Sequence, residues 1–256
     1  MVATSLALGW RLVIFFAAGV AGGIANGIAG GGTFITFPTL LALGVPALQA
    51  NVSTTVGVVP SYLGGIRGFR FEFTEHAALI RSLVAPCLLG TGAGCALLLT
   101  GSPHLFRLIV PWLIGFATLV FALAPVINAR LAHREHDAPR RRSLVVGVFL
   151  ASVYGGYFGA GMGIMLLAIM ALTLPYELQD VQGLRNVLSM MINSVAAVIF
   201  IVRGHLALDA VWMLLIGTLI GGWLGTRLIL RLSPSVVRAL VVAIGLATTV
   251  RLAIST

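Results

Sequence analysis

Four polar side chains recur at helical spacing inside an otherwise apolar stretch near residue 190. Gln182, Asn186, Ser189 and Asn193 follow one another at intervals of four, three and four residues, which places them on one face of a helix. Amide and hydroxyl groups both donate and accept hydrogen bonds, so this face can bind a small polar ligand. The alternative is hydrogen bonding to neighbouring helices without any ligand.

Arg185 stands beside this polar face, next to Asn186. An arginine near the centre of a membrane helix costs at least about 2.5–3.5 kcal/mol on insertion scales. Its guanidinium must therefore reach the membrane surface, pair with Asp180 or Glu177, or face a polar cavity. In a polar cavity it is a good ligand for a small oxyanion, because its fork of donors matches two oxygens at once.

The composition identifies a membrane protein. Of the 256 residues, 59% are hydrophobic and 9% are charged, and the mean hydropathy is +1.07. A soluble domain carries about a quarter charged residues, whereas apolar runs near twenty residues are long enough to cross about 30 Å of hydrocarbon. All 16 basic residues are arginines at segment ends or in one linker. That distribution is typical of topology signals, so we expect a lipid bilayer and no nucleic acid as partner.

An internal repeat organises the chain. Gly30 pairs with Gly161 and Gly32 with Gly163 at an offset of 131 residues, and the same offset aligns SPHLFR (102–107) with SPSVVR (233–238). We therefore expect a first transmembrane repeat (1–127), a basic cytoplasmic linker (128–142) and a second transmembrane repeat (143–256).

Each repeat is predicted to contain five apolar segments, of which the second is too short to span comfortably. The segments cover residues 10–29, 33–45, 50–66, 77–100 and 105–127, and then 143–160, 162–174, 181–202, 207–230 and 235–254.

The loop charges indicate how the repeats are oriented. The loop at 100–104 contains no arginine, whereas its counterpart at 227–238 contains three. Both loops obey the positive-inside rule only if the repeats are inverted, which is a common plan of secondary transporters. The predicted fold is an all-α polytopic membrane protein with two inverted-topology repeats and broken or re-entrant helices at the glycine motifs.

The glycine motifs allow two interpretations. Small residues let membrane helices pack closely, and this explains the glycines at 19–23 and 221–225. A run of glycines can also break a helix, and the freed backbone groups are tolerated where protein or water covers them. We favour breaks at 27–33 and 159–163 because the motif recurs in both repeats. Such breaks offer helix N-termini to anionic ligands.

A second polar face follows from the repeat. The counterparts of the four polar residues near 190 are Asn51, Thr55, Val58 and Tyr62, and three of these can form hydrogen bonds. We expect the two polar faces, one from each repeat, to meet near the middle of the bilayer.

The motifs GIAGGGTFITFP, LQANVSTTVGVVPSYLGG and QGLRNVLSMMINSVAAVIF resemble the TauE/SafE family of sulfite exporters over residues 10–252. The resemblance implies a bacterial plasma-membrane transporter of sulfite or small organosulfonates such as sulfoacetate. The second repeat departs from the family pattern. Met162 replaces a glycine, Ile169 or Met170 stands where proline is usual, and Arg185 replaces a lysine. These departures predict that the first repeat keeps the break more strongly.

The inverted repeats and the polar faces predict a multi-pass secondary transporter of a small anion, and the family resemblance implies export of a small sulfur-containing anion from a bacterial cell. No acidic residue lies on either polar face, and we expect no cofactor and no metal. Import, the coupling ion and a homodimer stay open. The candidate binding residues are Arg185, Asn51, Thr54, Thr55, Asn186, Asn193, Gly31, Gly32, Tyr62 and Gln182.

Two other functions are alternatives to a secondary transporter. A passive anion channel is not separated from a carrier by sequence. An intramembrane enzyme is disfavoured, because the chain has no paired intramembrane aspartates and no metal-binding motif such as H-E-x-x-H. The histidines lie at segment ends or in the linker, at positions 76, 104, 133, 136 and 205.

Overall fold

The computed structural model describes residues 2–65, 76–132, 141–176, 178–228 and 234–255. Within these ranges the chain forms ten α-helices and one 3-10 helix, and it contains no strand. The first repeat contains α1 (Val2–Ala29), α2 (Thr33–Ala42), α3 (Ala47–Val58), a 3-10 helix (Val59–Gly65), α4 (Ala77–Thr100) and α5 (Pro103–Ala132). The second repeat contains α6 (Arg141–Tyr157), α7 (Met162–Thr173), α8 (Leu178–Arg203), α9 (Leu208–Leu228) and α10 (Pro234–Ser255). The prediction of an all-α protein is confirmed.

Six helices of the described chain are long and apolar enough to cross a membrane, namely α1, α4, α5, α8, α9 and α10. The helices α2 and α7 are apolar but have only 10 and 12 residues. At a rise of 1.5 Å per residue they are about 15 and 18 Å long, well short of the 30 Å of a bilayer core. The prediction that the second segment of each repeat is too short to span agrees with these lengths.

The predicted segments match the ten helices within a few residues, with three differences, of which the first is that α1 begins at Val2 and not near residue 10. The segment predicted at 50–66 divides into α3 and the 3-10 helix. Pro60 lies at this change, and because proline has no backbone N–H to donate, it cannot continue the hydrogen bonding of the α-helix. Helix α5 continues to Ala132 and α6 begins at Arg141, so both ends of the predicted linker are helical. Its middle lies outside the described residues, and its cytoplasmic location stays a prediction.

Most of the larger helix contacts keep their partners when the two repeats are exchanged. Helix α1 packs along α9, and its counterpart α6 packs along α4. The same exchange relates the pair α3 and α9 to the pair α8 and α4, and the pair α2 and α10 to the pair α7 and α5. The helices α5 and α10 contact each other, as do α3 and α8. These contacts support a two-fold relation between the repeats.

The direction of one such contact supports the inverted arrangement. A Cβ atom built on Gly115 of α5 would lie 3.4 Å from Cγ2 of Thr249 on α10, and one built on Gly245 would meet the side chain of Thr118. As the residue number rises along α5 it falls along α10, so these equivalent helices are antiparallel. The orientation of the repeats in a membrane stays a prediction.

Glycines lie where the most extensive helix–helix contacts are formed. A Cβ atom on Gly23 of α1 would lie 2.6 Å from the carbonyl oxygen of Thr218 on α9, and one on Gly90 of α4 would lie 2.5 Å from that of Phe149 on α6. The backbones of these helices therefore touch, which a larger side chain would prevent. Close packing is thus the role of the glycines within α1 and α9, as predicted.

Candidate functional site

Both predicted helix breaks are present. Helix α1 ends at Ala29, Gly30 has φ 74°, and α2 begins at Thr33. Helix α6 ends at Tyr157, Gly159 and Gly161 have φ 80° and 75°, and α7 begins at Met162. Glycine adopts these left-handed conformations without the steric cost of a Cβ atom.

The two breaks lie at equivalent positions of the two repeats. Gly30 and Gly161 occupy the same position in the two repeats and have nearly the same φ. The prediction that the first repeat keeps the break more strongly is wrong, because the second repeat has two left-handed glycines where the first has one. Replacing a glycine by Met162 does not remove the break, since Met162 is already the first residue of α7.

A small central cavity lies between the two breaks. Its volume is about 20 Å³, which is room for about one water molecule. Its wall is formed by five elements, namely α1, the start of α2, the 3-10 helix, the start of α7 and the middle of α8. The lining residues are Asn26, Gly30, Thr33, Tyr62, Gly159, Met162, Gly163, Arg185, Asn186, Ser189 and Asn193.

The guanidinium of Arg185 lies between the two breaks. Its Nη1 atom would be 3.6 Å from a Cβ atom on Gly30 and 4.0 Å from one on Gly163. Its Nη2 atom donates a hydrogen bond to Oδ1 of Asn186 at 2.5 Å, whereas Nε has no partner among the described residues. The side chain therefore faces the cavity, and the absence of side chains at both glycines leaves room for it.

Neutral hydrogen-bonding groups surround this arginine. Nδ2 of Asn193 donates to the hydroxyl of Tyr62 at 3.1 Å and to the carbonyl oxygen of Ser189 at 2.9 Å. Nδ2 of Asn26 donates to the hydroxyl of Ser61 at 2.7 Å. The buried hydroxyl of Ser189 has no partner in the described part of the chain. A buried polar atom without a partner costs free energy, so a ligand or water at this place would be stabilising.

Two short helices begin at the cavity. Thr33 is the first residue of α2, Met162 and Gly163 are the first two of α7, and all three line the cavity. The first N–H groups of a helix have no partner within the helix, and they give its N-terminus a partial positive charge. With no acidic residue among the lining residues, the electrostatic field of the cavity favours an anion.

Four of the ten predicted site residues line this cavity, namely Arg185, Asn186, Asn193 and Tyr62. The other six are not among its lining residues. Asn51 is buried and donates to the carbonyl oxygen of Tyr157 at 2.9 Å, and Thr55 donates to the carbonyl oxygen of Asn51 at 3.0 Å.

The remaining four predicted residues lie in other surroundings. Thr54 is buried, and its hydroxyl has no partner in the described residues. Gln182 is exposed. A Cβ atom on Gly31 would lie 2.8 Å from Cζ of Phe121, and one on Gly32 would meet the backbone of Gly22, so both glycines serve packing.

The prediction missed several lining residues. Asn26 directly precedes the glycine run, and Thr33 directly follows it, so their places beside the motif were an available signal. Ser189 stood on the recognised polar face and lines the cavity. Met162 departs from the family pattern, and no signal in the sequence singles it out as part of the wall.

The described residues contain no group of three or more histidine, cysteine, aspartate or glutamate side chains that could hold a metal ion. The two cysteines, Cys87 and Cys95, are buried and free. The chemistry available in the central cavity is therefore binding through one guanidinium, several amides and hydroxyls, and two helix N-termini.

Several known proteins are similar to this chain in sequence. The family model described as "Sulfite exporter TauE/SafE" matches residues 15–252. A "Probable membrane transporter protein" of Haemophilus influenzae is 26% identical over 243 residues, which cover 90% of each chain. The "Probable membrane transporter protein YfcA" of Escherichia coli K12 is 24% identical over 237 residues, 91% of this chain and 85% of its own.

A third relative, the "Probable membrane transporter protein ORF9" of a Sinorhizobium species, is 26% identical over 246 residues, 94% of this chain and 92% of its own. No solved structure matches the chain. The family match covers most of the sequence, and the six helices of the described residues that are long and apolar enough to cross a membrane fit the names of the relatives. The chain therefore belongs to the sulfite exporter TauE/SafE family and is a multi-pass bacterial membrane transporter.

Proposed function

We propose that this transporter binds a small sulfur-containing oxyanion, such as sulfite or an organosulfonate, in the central cavity and exports it across the plasma membrane. One observation carries the proposal: the guanidinium of Arg185 lies between the broken helices of both repeats, with its Nε unpaired among the described residues. The description of the matching family supports sulfur oxyanions among the possible anions.

The groups in the cavity suit an oxyanion with several acceptor oxygens. The guanidinium offers parallel donors and a fixed positive charge. The amides of Asn26 and Asn186 and the hydroxyls of Thr33 and Ser189 supply neutral partners. A cation would find no carboxylate among the lining residues, so the same wall disfavours it.

The size of the cavity supports a carrier over a channel. A space of about 20 Å³ holds about one water molecule, so a sulfur oxyanion enters only after the surrounding helices move. A protein that must open around each substrate transports it by alternating access, which is the mechanism expected of inverted repeats. A channel would instead need a continuous open path.

Binding to the purified protein tests the substrate. We expect sulfite or sulfoacetate to bind more tightly than nitrate in a competition series measured by calorimetry, in which sulfate and taurine define which sulfur-containing group is preferred. Equal binding of sulfite, sulfoacetate and nitrate would contradict selectivity for a sulfur oxyanion. An absence of binding to any of them would remove the central cavity as an anion site.

Exchange across proteoliposomes separates the carrier from its alternatives. A carrier accelerates uptake of labelled substrate when unlabelled substrate is present on the opposite side, and its flux saturates. Linear flux without such exchange would identify a passive channel. Chemical turnover of the candidate substrate, measured in the same vesicles, would identify an enzyme.

A further inference from the structure

A larger cavity, separate from the central one, lies beside the first turns of α5. We call it the outer groove. Its volume is about 350 Å³, within the range of roughly 300–1,000 Å³ that is usual for small-molecule sites. The groove is bounded by the end of α2, the start of α3, the start of α5 and the end of α10.

The outer groove has a basic rim and an apolar wall. Arg107 and His104 stand three residues apart on α5, so their side chains lie on one face of the helix. Leu41, Val110 and Leu252 supply the apolar wall, and none of the lining residues that the structure describes is acidic. A ligand that fills it must combine a negative group with an apolar body.

The depth of the groove places its rim at the membrane surface. The apolar span of α5 begins at Pro103, so Arg107 lies only about 6 Å along the helix from the start of the span. Arginines near the ends of membrane helices reach the level of the lipid headgroups. The negative group of the ligand would therefore lie at headgroup depth.

The groove opens toward lipid. Leu105 and Leu108 are 52% and 42% exposed, and Trp112, one to two turns further along α5, is 78% exposed. In a membrane protein such an apolar face contacts hydrocarbon. A small free oxyanion would gain nothing from the apolar wall, whereas an acyl chain would bury it.

We infer that the outer groove binds an anionic phospholipid, with the headgroup phosphate at Arg107 and His104 and an acyl chain along Leu41, Leu108, Val110 and Leu252. The inference does not depend on the substrate of the central cavity. Charge complementarity selects the headgroup, because a guanidinium forms charge-assisted hydrogen bonds to phosphate oxygens.

Lipid binding to the delipidated, purified transporter tests this inference. Native mass spectrometry and thermal unfolding are measured with phosphatidylglycerol, with phosphatidylcholine of the same acyl chains, and with glycerol 3-phosphate. We expect retention of phosphatidylglycerol, a rise in Tm with this lipid alone, and no effect of glycerol 3-phosphate. Equal effects of both lipids, or binding of glycerol 3-phosphate as tight as that of phosphatidylglycerol, would overturn the inference.

Substitutions locate the site. Arg107→Gln should weaken phosphatidylglycerol binding about tenfold, and Arg107→Lys should retain part of it because the charge remains. Arg81→Gln is the matched control, since Arg81 is also exposed and is the fifth residue of α4 as Arg107 is of α5, yet it does not line the groove.

A third substitution tests the apolar wall. Leu108→Ser should lower the affinity for phosphatidylglycerol, because less acyl surface is buried. Should Arg107→Gln fail to fold, the Arg107→Lys and Leu108→Ser variants still decide. Full phosphatidylglycerol binding by both of these would overturn the inference, as would equal losses in the Arg107→Gln and Arg81→Gln variants.

Discussion

Nδ2 of Asn193 donates a hydrogen bond to the hydroxyl of Tyr62 at 3.1 Å, and the two residues are separated by 131 positions, the offset of the internal repeat. Each is therefore the counterpart of the other, and the bond lies where the two repeats meet. Both side chains also line the central cavity. The bond thus connects the repeats at the place that must widen when a substrate enters.

Tyr62→Phe removes this bond and keeps the aromatic ring. This bond must break as the cavity widens, and a neutral hydrogen bond contributes about 0.5–1.5 kcal/mol, so we expect the KM for anion exchange in proteoliposomes to fall about two- to tenfold. Tyr176→Phe is the control, because Tyr176 stacks on His76 and does not line the cavity. An unchanged KM in Tyr62→Phe would show that the bond does not contribute to closing the cavity.

The inverted topology can be tested at two equivalent, exposed positions, His104 and Ser235. The native cysteines, Cys87 and Cys95, are buried and should react slowly. With an impermeant thiol reagent on intact cells, we expect labelling of His104→Cys, because the loop at 100–104 has no arginine. Ser235→Cys should react only after permeabilisation. Labelling of both positions from the same side would contradict the inversion.

Two glycines of α4 form a matched pair for testing helix packing. A Cβ atom on Gly94 would collide with the carbonyl oxygen of Val153 and lie 2.9 Å from the backbone nitrogen of Tyr157, whereas one on Gly92 would meet nothing within 4 Å. We expect Gly94→Ala to lower the free energy of unfolding by about 1–3 kcal/mol.

Gly92→Ala should be neutral or stabilising by up to about 1 kcal/mol, since alanine favours helix more than glycine. Thermal unfolding of the two variants in the same detergent provides the measurement. Equal Tm values would show that α4 and α6 do not pack as closely as their backbones indicate.

The sequence was sufficient to predict the helices and their breaks because these signals have direct local causes. Apolar length defines a membrane helix, and a glycine such as Gly30 or Gly161 both permits a left-handed turn and marks the break. The segment at 77–100 was predicted with the bounds that α4 has. The change to a 3-10 helix after Val58 was missed, since Pro60 was not used as a signal.

The central cavity was predicted only in part, because helical periodicity states which residues share a face and not which helix that face meets. The polar face of α8 lines the cavity at Asn186 and Asn193. The equivalent face of α3 bonds instead to the end of α6, where Asn51 donates to the carbonyl oxygen of Tyr157. Only packing in three dimensions distinguishes these outcomes.

Alanine substitutions at two left-handed glycines can distinguish the effect of backbone strain from an effect on the central cavity. Gly30 and Gly44 have φ 74° and 82°, and alanine at either position should cost about 1–2 kcal/mol. Gly44 has open space around it, whereas a Cβ atom on Gly30 would contact the guanidinium of Arg185. We expect similar losses of Tm in both alanine variants but weaker anion binding, by several-fold, in Gly30→Ala alone. Equal anion affinities would exclude a role for the first break in binding.

The last prediction concerns Arg185, whose guanidinium is the one cationic group among the lining residues of the central cavity. Hydrogen bonds to charged groups contribute about 1.5–3 kcal/mol, and about 1.4 kcal/mol corresponds to a factor of ten in affinity. Arg185→Gln should therefore weaken sulfite binding tenfold or more in calorimetry. Arg185→Lys should retain part of the affinity, because the charge remains while the planar fork is lost. Arg203→Gln, at the far end of α8, is the control and should bind as wild type does. If Arg185→Gln folds normally and binds sulfite as tightly as wild type, the anion site must lie elsewhere in the protein.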